Sequence, residues 1–119
     1  MKLVYCAIPS RMHIKSSLIM DYVESEKCAP FNPLVAFPLE RFEFGSVGRE
    51  ETMSYCRKLI GLCDEFWIFG LSKGTIEEIS YAIKIKKPIK IIKEFDDEWE
   101  KRKIDFSDEI KLLSGIKQL

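Results

Sequence analysis

The sequence predicts an α/β protein, a three-layer, doubly wound, mostly parallel sheet of about four to five strands of the Rossmann-like or flavodoxin-like kind. Two observations predict it. Short apolar runs alternate with stretches of helical periodicity, in the order β-α-β-loop-α-β-α-β followed by a charged tail. The runs are nearly continuous in apolar residues, as strands covered on both faces are. Right-handed crossovers between such strands then lay the helices on both sides of an open sheet.

Lys2 to Ile8 (KLVYCAI) is a short apolar run stopped by Pro9, and its length and β-branching make it a buried strand. From Arg11 to Lys27, residues Ile14, Leu18, Ile19, Tyr22 and Val23 recur at helical spacing. Cys28 to Asn32 (CAPFN) is a weak second strand closed by Pro33. Leu34 to Gly48 has no clear period and holds Pro38, Gly45 and Gly48 among Phe37, Phe42 and Phe44. Irregular stretches of that length in small domains are often functional. Arg49 to Cys63 is helical, with Met53, Cys56, Leu59, Ile60 and Cys63 on one stripe. Glu50 and Glu51 stand in its first turn, where the helix dipole favours acids. Glu65 to Phe69 (EFWIF) is the clearest strand, and Gly70 to Gly74 (GLSKG) is a turn. Thr75 to Lys86 is a helix with Ile76, Ile79, Ala82 and Ile83 facing inward, and Pro88 to Ile92 is a fourth strand. Glu94 to Lys103 is charged, and Ser107 to Ile116 reads as a short terminal helix opened by a Ser cap.

The 119 residues, 46% apolar and 12% aromatic, are enough to bury a core without disulfide or metal staples. They read as one domain over 1–119, with its core in 2–92 and a charged tail with a short helix over 93–119. Nineteen basic residues balance nineteen acidic ones, which argues against a dedicated nucleic-acid binder and against disorder. No apolar run approaches a membrane span, and MKLVYCAIPSR lacks the form of a signal peptide. Cys6, Cys28, Cys56 and Cys63 form no CxxC pair, and His13 is the sole histidine, so no zinc quartet can be drawn. The expectation is four reduced thiols in a cytoplasmic protein, with no metal and no cofactor.

Lys84, Lys86, Lys87, Lys90 and Lys93 read as the lysine-guarded edge of a sheet. Phe37, Phe42 and Phe44 read as core packing or as a lid over a ring-shaped ligand. Trp99, in the charged tail, needs cover from the domain or from a second subunit.

Ligands on doubly wound sheets bind beyond the carboxyl ends of the strands. Two turns lie there: Pro9-Ser10-Arg11 and Gly70 to Gly74. The stretch from Cys63 to Ala82 places Asp64 before a strand, Ser72-x-Gly74 after it, and Glu78 in the first turn of the next helix. Ser72, Gly74 and the amides there form a cradle for a phosphate or hydroxyl. A carboxylate beside a ribose-binding cleft can attack the anomeric carbon and form a glycosyl-enzyme. The same residues also read as a capping box, in which Thr75 caps the helix and Glu78 reaches back to it. Arg11 and Arg49 could supply positive charge to a ligand, or could be solvated surface arginines.

Tyr5, Ala7 and Pro9 in the first strand, Asn32-Pro33 after the second, Asp64 before the third, and Ser72-x-Gly74-x-x-x-Glu78-x-x-x-Ala82 beyond it occur in a familiar order. Over roughly residues 2 to 92 the chain resembles the nucleoside 2-deoxyribosyltransferase-like superfamily, which includes deoxyribosyltransferases and nucleotide N-glycosidases. The resemblance implies Glu78 as nucleophile, with Asp64 positioning the ribose hydroxyls or Glu78 itself and Tyr5 near the sugar. It implies Ser72 and Gly74 at the 5′ end of the substrate, and homo-oligomers that complete one another's sites. It also exposes two departures. Active members carry a second Asp eight residues before Asp64, where this chain has Cys56. A thiol is a poor replacement for a carboxylic acid that protonates a leaving base. The nucleotide hydrolases have a Gly-rich turn where this chain has Ile8-Pro9-Ser10-Arg11. The expected function is binding of a nucleoside or nucleotide, with cleavage or transfer at its N-glycosidic bond. The alternatives are a non-catalytic nucleotide-binding or regulatory module and a structural oligomerisation domain. A carboxylate such as Glu43, Glu50 or Glu51 folded into the cleft would favour catalysis.

Overall fold

In the computed structural model, which describes residues 1–108 and Lys111, four strands form one all-parallel sheet. They are β1 (Leu3–Ala7), β2 (Ala29–Phe31), β3 (Glu65–Ile68) and β4 (Ile89–Ile91), in the order β2-β1-β3-β4. The chain moves outward from β1 to β2, then returns to the other side of β1 to continue through β3 and β4. That reversal puts the switch point between β1 and β3.

Side chains alternate across the pleat and so sort the core into two layers. Val4, Cys6, Ile8, Trp67 and Phe69 pack under helix α1 (Ser16–Ser25), which contributes Ile19 and Val23. Tyr5, Ala7, Phe66 and Ile68 face the opposite way. Helices α3 (Arg49–Leu62) and α4 (Lys73–Lys84) cover them with Cys56, Ile60, Ile76, Ile79 and Ala82. Each large apolar side chain buried this way stabilises the fold by about 1.5–3 kcal/mol relative to exposure. The Tyr5 ring lies opposite Phe31 and Phe66 in the register and stacks on both, with centroids 5.7 and 5.4 Å away. The stack fixes the direction of the Tyr5 hydroxyl, toward α4.

Several boundaries differ from the expectation. The stretch after Pro9 opens as a 3-10 helix over Ser10–Lys15, and α-helix begins only at Ser16. The Met12 amide donates to the Pro9 carbonyl in the tighter i→i+3 form, which brings Met12 into the core. Pro30 lies within β2, and that is tolerated because β2 is an edge strand. The aperiodic segment contains one helical turn, α2 (Pro33–Ala36), capped by the Asn32 side chain, which accepts from the Leu34 amide at 2.9 Å. Helix α4 starts two residues earlier than expected, at Lys73. The charged segment holds α5 (Trp99–Asp105). Of the expected terminal helix, residues 109–110 and 112–116 lie outside the described residues. Trp99 is 7% exposed and joins the α3–α4 side of the core, so its own chain supplies the cover.

At the other edge, β4 carries Lys90, whose ammonium sits 4.5 Å from the Trp67 ring centre and 3.7 Å from a Glu26 oxygen. All four cysteines are free thiols. Among the described residues no helix is long and apolar enough to cross a membrane.

Candidate functional site

A cavity of about 230 Å³ opens beyond the carboxyl ends of β1 and β3, between the 37–48 loop and α4. Its position follows from the strand order, since crossovers diverge on either side of the switch point.

The floor is built on Glu78. Helix α4 is capped by Ser72, whose hydroxyl accepts from the Thr75 amide at 3.1 Å. The Thr75 hydroxyl accepts in return from the Ser72 amide at 2.8 Å and donates to the Gly70 carbonyl at 3.1 Å. Ser72 and Thr75 thus form the capping box, so the reading in which Thr75 caps and Glu78 reaches back does not hold. Thr75 occupies the third helical position, and Glu78 lies one turn further along, on the inner face. Glu78 is only 6% exposed and accepts a short hydrogen bond from the Tyr5 hydroxyl. The Cys56 thiol, from α3, lines the cavity beside the same carboxyl.

Burial dominates the electrostatics. It pushes the Glu78 carboxyl up to about 7; the Tyr5 hydrogen bond and the neighbouring Cys56 thiol pull the other way, and the charges of Glu43 and Glu77 add to the rise. Burial, and then the Glu78 charge, push the Tyr5 hydroxyl well above its ordinary range. The same two causes push the Cys56 thiol up to about 12. At neutral pH Tyr5 and Cys56 are therefore protonated donors, and Glu78 is poised between its two forms.

Ser10, Ser72, Gly74 and Arg49 line the cavity. Arg49 is not free, because its guanidinium bridges Glu43 at 3.1 Å and Glu77 at 2.9 Å. Glu43 and Phe37 come from the aperiodic loop and also line the cavity. Phe37 packs on Phe42 and Tyr55, with ring centroids 5.0 and 6.0 Å away, while Phe44 is exposed. So the loop supplies both an aromatic wall and a carboxylate. The sequence offered Phe37 as core or lid and Glu43 as one of three carboxylates that could enter the cleft, but a segment with no period could not place either. Glu50 and Glu51 do not line the cavity.

Three predicted residues stand elsewhere. Asp64 lies at the amino end of β3, where its carboxylate accepts from the Leu3 amide at 2.8 Å. Glu78 faces the cavity at the other end of the sheet, so Asp64 orients neither the carboxyl nor a ligand there. Arg11 donates to the Leu71 carbonyl and to Asp96, each at 2.7 Å, and its Nε lies 3.3 Å from Glu98. It is a tie between segments rather than an anion-gripping arginine. Pro9 is buried, with a ring carbon 2.9 Å from where a Cβ on Gly70 would lie. Among the described residues, no group of three or more His, Cys, Asp or Glu is arranged to hold a metal ion.

Comparison of the chain with protein-family models, curated proteins and solved structures gives no match.

Proposed function

We propose that the cleft binds a nucleoside or nucleotide and that the protein cleaves or transfers at its N-glycosidic bond, with Glu78 as nucleophile. The observation that carries this reading is the buried Glu78 carboxyl on the cavity floor, freed from helix capping and oriented by the Tyr5 hydroxyl. Support also comes from the cavity's place at the switch point, where doubly wound sheets bind ligands. About 230 Å³ is below the usual range of drug-sized sites, which suits one compact ligand with part of its surface in solvent.

In the reaction, a Glu78 oxygen attacks C1′ and the C1′–N bond breaks, with its electron pair passing to the base. Water or an acceptor base then attacks C1′, the C1′–O bond to Glu78 breaks to regenerate the carboxylate, and the proton lost by the nucleophile ends on the released base. Tyr5 holds the carboxyl in its attacking orientation and donates to whichever form is present. Ser72, Gly74 and Ser10 line the mouth, where hydroxyl and amide groups can meet the sugar's 5′ end.

A second reading is a binding module without catalysis. It is favoured by Cys56, which occupies the cavity wall as a thiol too weakly acidic to protonate a base. Free base released from a panel of nucleosides and nucleoside monophosphates separates the two. Release by the parent protein and none by a folded Glu78→Ala variant is the expected result. Saturable nucleotide binding without release would establish the binding module. Absence of both would end the nucleotide reading.

A further inference from the structure

Expelling a neutral nucleobase leaves negative charge on nitrogen, so the step needs a proton donor beside the base. Among the described residues lining this cavity, no carboxylic acid is positioned for that role. Glu78 is assigned to C1′ and is held by Tyr5. Glu43 is the carboxylate of an ion pair with Arg49, and such a group accepts protons rather than supplying them. Cys56 lines the cavity, but burial makes its thiol too weak an acid to protonate a base. The remaining polar lining is Ser10, Thr52, Ser72 and Thr75 hydroxyls, together with Lys73 and Arg49. Aliphatic hydroxyls and guanidinium are far too weakly acidic to protonate a departing base, and Lys73, the first residue of α4, is exposed at the rim rather than enclosed with the ligand.

The same cavity is built for positive charge on a flat ring. Phe37 presents an aromatic wall, braced by Phe42 and Tyr55. Two carboxyls, Glu78 and Glu43, face the cavity; of its two cations, Arg49 is neutralised by two acidic partners and Lys73 is exposed at the rim. An aromatic face with nearby carboxylates attracts a cationic heterocycle by cation–π and Coulombic terms together.

We propose that the substrates are N-ribosyl cations, nucleosides whose glycosidic ring already carries positive charge, such as N-ribosylpyridinium or N7-alkylated purine nucleosides. This rests on the reading of Glu78 as nucleophile. With such a substrate no donor is needed. The Glu78 oxygen bonds to C1′, the C1′–N bond breaks, and its electron pair neutralises the ring cation, so a neutral base leaves. Water then attacks C1′, the ester C1′–O bond breaks, and Glu78 recovers its carboxylate. One proton from the water passes to solvent, so the net products are ribose, neutral base and a proton. The cation also favours the charged form of Glu78 that attack requires.

The test compares nicotinamide riboside and N7-methylguanosine with guanosine, in the parent protein and in Glu78→Gln. A general acid contributes typically ~10²–10⁴-fold. The expected result is Glu78-dependent release from the two cations, with guanosine at least ~100-fold lower in kcat/KM. The pH profile for nicotinamide riboside, whose pyridinium has no ring proton to lose, should rise through the Glu78 titration and stay level on the alkaline side, since no acid is lost there. Guanosine cleaved within ~10-fold of the cations, with an alkaline fall that Glu43→Gln removes, would overturn this inference and leave Glu78 as nucleophile. No Glu78-dependent release from any of the three would overturn both.

Discussion

Between its cap at Ser72 and its buried Ala82, α4 turns Glu78 onto the sheet, where the carboxyl is 6% exposed and meets the Tyr5 hydroxyl. The unfolded carboxyl titrates near 4.5 and the folded one near 7, so the native state holds more protons between those values. Stability from this group is fully present below pH 4.5 and falls as pH rises through 7. The loss amounts to about 3 kcal/mol. Glu78→Gln keeps an acceptor for Tyr5 and cannot ionise. In urea titrations the variant is therefore expected to gain on the parent steadily from pH 4.5 to 7 and to hold that gain above. Parallel curves for the two proteins would show that the buried carboxyl is not what titrates. The sequence marked Glu78 as special but left its role open between cap and nucleophile. Ser72 and Thr75 remove the capping role, because a box closed between them leaves Glu78 with no helix end to satisfy.

At the scale of elements, the four strands were legible because strands covered on both faces must be apolar nearly throughout. Helical stripes were legible for α3 and α4 for the related reason that each has one buried face. The 3-10 stretch after Pro9 was not, since i→i+3 and i→i+4 turns share nearly the same apolar spacing over two turns. The turn from β3 to α4 depends on a close approach at Gly70. A Cβ there would lie 2.7 Å from the Met12 sulfur and 2.9 Å from both an Asp96 oxygen and a Pro9 ring carbon. Met12 can shift, but Asp96 is held by Arg11 and Pro9 is rigid. Gly70→Ala is expected to cost about 1–3 kcal/mol, read as a lower urea midpoint with an unchanged slope. A midpoint equal to the parent's would show that the three segments are free to part.

For the molecule as a whole, the segment after β4 is tied back by Arg11. Its guanidinium joins the turn after β1 to the Leu71 carbonyl, to the buried Asp96 and to Glu98. Asp96 also accepts from the Glu98 amide at 3.1 Å, and Phe95 and Trp99 reach the two different core layers on either side of it. Removing one partner of a buried pair leaves the other charge uncompensated. Arg11→Met is therefore expected to destabilise by about 3 kcal/mol, and Asp96→Asn by less, because the guanidinium it strands is partly solvated and keeps Glu98 as a partner. Thermal unfolding of both variants and of the double variant measures this. Equal melting temperatures for parent and Arg11→Met would reduce the tie to a surface contact. By contrast, Lys2–Glu65 and Lys15–Asp97 each have one largely solvated partner, and exposed pairs contribute little.

The sequence by itself determined the alternation of strands and helices, the parallel sheet and the two turns that border its carboxyl end. Those features follow from local periodicity, which each segment carries in its own residues. Only the tertiary structure decided which polar side chains share the cavity. Asp64 and Glu78 are neighbours in motif order, yet a strand that runs the length of the sheet carries them to opposite ends. Arg11 and Asp96 are 85 residues apart, and Arg11 is spent on that contact rather than on a ligand. Glu43 enters the cavity because Arg49, at the start of α3, holds it there from a segment with no period of its own. A pairing between residues distant in sequence leaves no local pattern, since its geometry is set by how layers pack and not by the repeat of any one element.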